Sequence, residues 1–244
     1  MVRPPATILA PSYVAATGAA GTFAAVRDLV RRQPSAIILA AQLAAVLAYP
    51  FMEDSDAGRA LFSIFGIAIL GLVLVAVRRS PANTWVGVML AVPATILLLV
   101  QAVTGDDELL PWSSALEAVL YLYAAGALIA YMLEDHEITR DELWAIGATF
   151  TLVAWAFAYM YIVVQAIEPG SFTAAGDPAE DRTWVEVLYL SFTTQTSTGL
   201  SDVVPIKPFA RSLVMIQQLT GLGYVAVFVS RLVALTVVNR AERP

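Results

Sequence analysis

Long apolar runs separated by short polar segments dominate the chain, and six of these runs predict helices. They cover residues 35–51, 60–77, 84–103, 112–133, 143–167 and 209–238. A helix of about 20 apolar residues crosses the roughly 30 Å hydrocarbon core of a bilayer. The pattern therefore predicts an all-α membrane protein with six transmembrane helices.

A polar section separates the fifth run from the sixth. Thr183 and Glu186 have the spacing of a helix-capping box, so a helix is predicted to start there. Its apolar stretch, residues 184–193, is too short to cross the bilayer. The hydroxyl-rich residues that follow are irregular backbone, which survives at membrane depth only inside protein or beside a water-filled path. We expect a re-entrant pore helix and a loop that lines a pore.

Composition narrows the class of protein further. The chain is 59% hydrophobic and only 14% charged, whereas soluble domains carry about a quarter charged residues. The sequence contains no cysteine and a single histidine, His136, so thiolate or histidine metal clusters are excluded. A net charge of −6 argues against nucleic acid as a partner. No nucleophile motif is present, so we predict no enzyme and no cofactor.

Basic residues in the short loops predict the orientation of the spans. Alternating spans place one group of arginines on a single side, which is therefore predicted to be cytoplasmic with both termini. The predicted spans divide the chain into a cytoplasmic segment 1–34, a four-helix sensor-like domain 35–133 and a pore domain 143–239. We expect a multi-pass protein of a bacterial inner membrane. The arginines are Arg27, Arg31, Arg32, Arg78, Arg79, Arg140, Arg240 and Arg243.

The run T-S-T-G-L-S-D at residues 196–202 resembles the potassium-channel filter T-T-V-G-Y-G-D. The resemblance continues through Val203-Val204-Pro205, Ala210-Arg211 and Gly221 and covers residues 143–238. It places the chain beside the six-transmembrane, voltage-gated-like channels. It implies that backbone carbonyls replace the hydration shell of a monovalent cation, K⁺ or Na⁺. It also implies a homotetramer in the lipid bilayer.

The resemblance assigns roles to individual residues. The loop is expected to bind the ion. The inner positions Ser197, Thr198 and Gly199 are the expected ligands of the bare cation. The residues expected to support the filter are Asp202, Trp184 and Glu186. Gly221 and Gly223 are either gating hinges or sites of close helix packing. The full set of filter positions is Thr196, Ser197, Thr198, Gly199, Leu200 and Ser201.

Two departures from the family pattern predict weak discrimination between K⁺ and Na⁺. Ser201 stands where the family has its second glycine, and a left-handed conformation there would cost roughly 1–2 kcal/mol. Leu200 replaces the tyrosine whose hydroxyl braces the filter in the family. We therefore expect a weakened outer part of the filter.

The fourth span contains no lysine or arginine, so conventional voltage sensing is not expected. Its acidic residue, Glu117, is either a functional intramembrane group or an interfacial one. Two alternatives to a conducting pore stay open. One is a non-conducting or regulatory membrane protein derived from the channel fold. The other is a transporter, which would have paired broken helices, whereas the sequence shows one broken segment.

Overall fold

The computed structural model describes residues 33–49, 66–72, 74–75, 77–78, 82–104, 107–134, 139–176 and 180–241. Most of the predicted N-terminal segment, much of the second predicted span and His136 lie outside these ranges. Residues 66–72 are helical. The other helices are α1 (Pro34–Ala48), α2 (Thr84–Thr104), α3 (Leu110–Met132), α4 (Arg140–Ile167), α5 (Trp184–Gln195) and α6 (Pro208–Ala241), with a 3-10 turn at Asp107–Leu109. The strands are β1 (Phe172–Ala174) and β2 (Val203–Pro205).

Four helices in the described ranges are long and apolar enough to cross a membrane. They contain the windows Thr84–Gln101, Leu110–Met132, Arg140–Ile167 and Pro208–Ala234. The shorter apolar helix α1 has 15 residues. The predicted membrane protein, built of α-helices, is confirmed, while the count of six spans stays a prediction.

Helix α4 lies at the centre of the bundle, with 72% of its spanning window buried. Small side chains allow this, because alanines such as Ala148, Ala154 and Ala158 are fully buried and let neighbouring helices approach closely. Packing against α1, α3, α5 and α6 makes α4 the framework on which the rest of the chain is arranged.

Aromatic rings join α4 to the start of α5. Trp184 lies edge-on to Trp155, with ring centroids 5.2 Å apart, and lies 5.7 Å from Tyr159. Tyr121 of α3 stacks on Tyr159 at 5.6 Å. Such pairs stabilise beyond their buried area. The cluster fixes the N-terminal end of α5 against α3 and α4.

A short antiparallel pair of strands closes the segment between α4 and α6. Phe172 is opposite Pro205 and Ala174 is opposite Val203. Two further bonds extend this contact, from Ile206 N to the Ser171 carbonyl at 2.9 Å and from Lys207 Nζ to the Pro169 carbonyl at 2.7 Å. The chain that leaves α5 therefore returns to the C-terminal end of α4.

Candidate functional site

The predicted capping box at the start of α5 is confirmed. The Thr183 hydroxyl accepts from Glu186 N at 3.4 Å, and the Glu186 carboxylate accepts from Thr183 N at 2.7 Å. Glu186 also forms an ion pair with Arg182 at 3.2 Å. Trp184 and Glu186 thus hold the N-terminal end of α5. The loop predicted to bind ions begins at the other end of α5. Any support from Trp184 and Glu186 would therefore reach the loop through the helix.

The C-terminal end of α5 lies against the middle of two long helices. Ser191 donates its hydroxyl hydrogen to the Ala154 carbonyl of α4 at 2.6 Å, and Gln195 Nε2 donates to the Phe150 carbonyl at 2.7 Å. Gln217 of α6 donates to the Ser191 hydroxyl oxygen at 2.6 Å. Helix α5 therefore runs inward from one end of the bundle and stops about halfway along α4.

The loop that follows turns its amide groups back toward α5. Residues 196–200 are exposed in the single chain, yet successive amides donate to carbonyls of the last helical turns. These bonds satisfy carbonyls that a helix end otherwise leaves open. The bonds are Thr196 N to Phe192 O at 3.0 Å, Ser197 N to Thr194 O at 3.0 Å, Thr198 N to Thr193 O at 2.9 Å and Gly199 N to Thr193 O at 3.1 Å.

The carbonyl groups of the same loop remain available. In the described part of the chain, no hydrogen bond ends on the carbonyl oxygens of residues 196–199. Two of these residues have left-handed backbone, Ser197 with φ 59° and Gly199 with φ 65°, on either side of Thr198. The amides of residues 196–199 are all bonded to α5, whereas their four carbonyl oxygens are free. Left-handed residues alternate with Thr198 in this row of carbonyls.

The expected strain at Ser201 is wrong, because left-handed backbone occurs at Ser197 instead. The Ser201 hydroxyl accepts from Val203 N at 3.1 Å, a local turn that needs no unusual φ. The family pattern placed the strain at the missing second glycine, whereas the structure has left-handed backbone four residues earlier, at Ser197. The conformational cost therefore falls among the residues predicted to contact the cation.

The brace that a tyrosine at position 200 would provide is absent, as expected, but another residue ties α5 to the loop. The hydroxyl of Tyr189, on α5, donates to the Leu200 carbonyl at 3.2 Å. The brace therefore runs from the helix to the loop, although position 200 is leucine. The signal in the sequence was a tyrosine within the predicted short helix. Asp202 is exposed, and its predicted supporting role is not tested.

The two glycines of α6 have different surroundings. A Cβ at Gly221 would collide with the Gln195 carbonyl oxygen and would lie 2.9 Å from the Gln195 carbonyl carbon. A Cβ at Gly223 would meet nothing within 4 Å. Gly221 is therefore a close-approach site between α6 and the end of α5, and hinge roles for the two residues stay predictions.

Glu117 is covered by protein, since only 2% of its surface is exposed. Its carboxyl bonds Tyr159 and lies near Tyr121. The interfacial interpretation was based on the distance of Glu117 from the end of its span. Aromatic rings of α4 cover this turn of α3, and both interpretations of Glu117 stay predictions.

Comparisons with known proteins match the part of the chain that contains this site. A family model described as an ion channel matches residues 118–237. Protein LctB of Bacillus caldotenax is 32% identical over 101 residues, which are 40% of this chain and 75% of that protein. No solved structure matches the chain. The family match includes all of α4 and α5, the loop and most of α6.

Proposed function

This chain belongs to the ion channel family, and we propose that four copies form a potassium-channel-like pore that conducts monovalent cations. The pore would cross a bacterial inner membrane with both termini on the cytoplasmic side. In this arrangement α5 is the re-entrant pore helix and residues 196–201 are the filter. Residues 143–239 form the pore domain, and residues 35–133 form a four-helix domain in front of it.

The observation that carries this proposal is the row of free carbonyls at residues 196–199. A permeant cation needs oxygen ligands that replace its hydration shell, and here the amides that would repel a cation are bonded to α5. One loop offers about one ligand for each layer. A closed cage therefore requires several copies around an axis, and cyclic symmetry provides them.

The direction of α5 supports the same position for the ion. The C-terminal end of a helix carries partial negative charge. In α5 that end lies near Phe150 and Ala154, far from either end of α4. Four such ends directed at one axis would favour a cation in the middle of the membrane.

We propose that discrimination between K⁺ and Na⁺ is weak. The Leu200 carbonyl already accepts a bond from Tyr189, which reduces its value as an outer ligand. Ser201 forms its turn with Val203, so the outer end of the loop differs from the family's glycine-rich filter. Voltage sensing of the usual kind is not proposed, since neither α2 nor α3 contains lysine or arginine.

The test is current through the purified protein in liposomes with K⁺, Na⁺ or N-methylglucamine as the only cation. Currents carried by K⁺ and Na⁺ but not by N-methylglucamine are expected, from a particle with fourfold symmetry. Strong preference for K⁺ would refute weak selectivity. A symmetric assembly that passes no cation would support the non-conducting alternative.

A matched pair of glycine variants links the current to the loop. Gly199 and Gly170 both have left-handed backbone, φ 65° and 74°, and both have open space at the Cβ position. Alanine therefore adds a similar strain of roughly 1–2 kcal/mol at either site. We expect Gly199→Ala to change conductance or selectivity and Gly170→Ala to leave both unchanged. Equal behaviour of the two variants would remove the loop from the conduction path.

A further inference from the structure

Gln217 is a fully buried amide in the first half of α6. Its Oε1 accepts from the Tyr161 hydroxyl of α4. Its Nε2 donates to the Ser191 carbonyl at 3.1 Å, to the Ser191 hydroxyl at 2.6 Å and to Gln195 Oε1 at 3.2 Å. A single side chain thus joins three helices at the depth where α5 ends.

The partners of Gln217 are themselves fixed to α4. Ser191 donates to the Ala154 carbonyl and Gln195 donates to the Phe150 carbonyl. A buried network in which each member has its partner favours one arrangement of the helices over others. Removing the amide would leave the Tyr161 hydroxyl and Gln195 Oε1 without that partner, and an unmatched buried polar group is costly.

The network acts on the residue that directly precedes the loop. Gln195 is followed by Thr196, the first loop residue. Gln217 and Gly221 are four residues apart and share one face of α6. Gln217 bonds the Gln195 side chain, and Gly221 contacts the Gln195 backbone. Any shift of α6 at this level therefore moves the base of the loop.

We propose that Gln217 is a positioning residue that couples the position of α6 to the conformation of the loop, so that ion passage is controlled at residues 196–199. This inference rests on the proposed conducting function and deepens it. Gln217 does not contact the ion. It acts through Gln195 and Ser191, which hold the end of α5, and it makes α6 and the carbonyl row move as one unit.

The test compares Gln217→Leu with Thr151→Val in single-channel recordings from liposomes. Thr151 is a suitable control because it is buried and its hydroxyl bonds the Gly147 carbonyl of its own helix at 3.0 Å. For each interhelical bond lost we expect the open-to-closed ratio to change about threefold, which corresponds to roughly 0.6 kcal/mol. The K⁺-to-Na⁺ permeability ratio should change with it. The Thr151→Val channel should keep wild-type values.

Tyr161→Phe keeps the test valid if Gln217→Leu does not assemble. It removes one bond of the network, so we expect a smaller change in the same direction. The double variant should behave like Gln217→Leu alone, because both substitutions act on one network. Additive effects, or wild-type gating and selectivity in Gln217→Leu and Tyr161→Phe, would overturn the coupling. Those outcomes leave the proposed function intact, whereas a wild-type protein that passes no cation removes the proposed function itself.

Discussion

Helices α2 and α6 are both long, apolar and poorly covered in the single chain, but they expose different side chains. The buried share of their spanning windows is 17% and 22%. Along its length α2 exposes large apolar groups such as Trp85, Met89 and Ile96. Helix α6 also exposes apolar groups, but polar Gln218 and Thr220 are among its exposed residues.

The difference indicates what lies against each helix. An entirely apolar face is suited to lipid chains. An exposed amide is not, because polar groups in hydrocarbon are costly without a partner. The exposed face of α6 therefore fits contact with other copies of the chain and with a water-filled axis. The comparison is consistent with the proposed assembly of several copies, and it does not depend on the filter motif.

The largest effect is expected from a glycine pair, one on each helix. Gly221→Ala places a Cβ against the Gln195 backbone carbonyl, whereas the Cβ of Gly87→Ala would meet side chains alone, Leu74 and Val77 at 3.3 Å and Tyr123 at 3.8 Å. Backbone cannot yield as a side chain can, so Gly221→Ala should abolish current or assembly. Gly87→Ala should retain both. Size-exclusion profiles and liposome flux measure the two variants, and a conducting Gly221→Ala channel would contradict the close packing.

A second prediction concerns the far end of α6, where Arg231 forms an ion pair with Glu142 of α4 at 3.1 Å. The side chains are 14% and 5% exposed. Removing one partner of a buried pair costs about 3–5 kcal/mol. Helix α2 has no charged residue and hence no equivalent bond. We expect Arg231→Met to lower the thermal midpoint of the detergent-solubilised protein strongly, and a reversed pair, Arg231→Glu with Glu142→Arg, to recover part of the loss.

A third prediction tests directly what covers each helix. The sequence has no cysteine, so a single introduced thiol reports one position without background. We expect Thr220→Cys to react with a water-soluble thiol reagent or to cross-link copies, because the proposed assembly places α6 at the axis. Met89→Cys should do neither, since the apolar exposed face of α2 is proposed to contact lipid. Equal reactivity at both positions would remove the distinction between the two faces.

The sequence predicted features that depend on neighbouring residues better than contacts between residues far apart along the chain. The spans and the capping box of α5 depend on neighbouring residues, so the fourth span, predicted at 112–133, was found at Leu110–Met132. The β1–β2 pairing and the Tyr189 brace join residues far apart along the chain or across a loop, where local patterns carry little signal.

The candidate site was predicted in part for the same reason. The loop was located by its motif, but the left-handed residue was assigned to position 201 rather than Ser197. The left-handed backbone at Ser197 accompanies hydrogen bonds from the amides of Thr198 and Gly199 to the Thr193 carbonyl. The three partners of Gln217 could not be identified from the sequence, because they come from two other helices. The available signal was a pair of glutamines, Gln217 and Gln218, in a largely apolar span.

The smallest effect is expected from a polar contact between α2 and α3, the pair Gln101 and Ser113. Gln101 Nε2 donates to the Ser113 hydroxyl at 3.0 Å. Ser113 also donates to the Leu110 carbonyl of its own helix at 3.1 Å, so it keeps a partner when Gln101 is lost. Gln101→Leu should therefore cost about 0.6 kcal/mol, an average interhelical bond in a membrane, and leave gating unchanged. A loss of stability equal to that of Arg231→Met, or altered ion selectivity, would mean that α2 is coupled to the pore in the same way as α6.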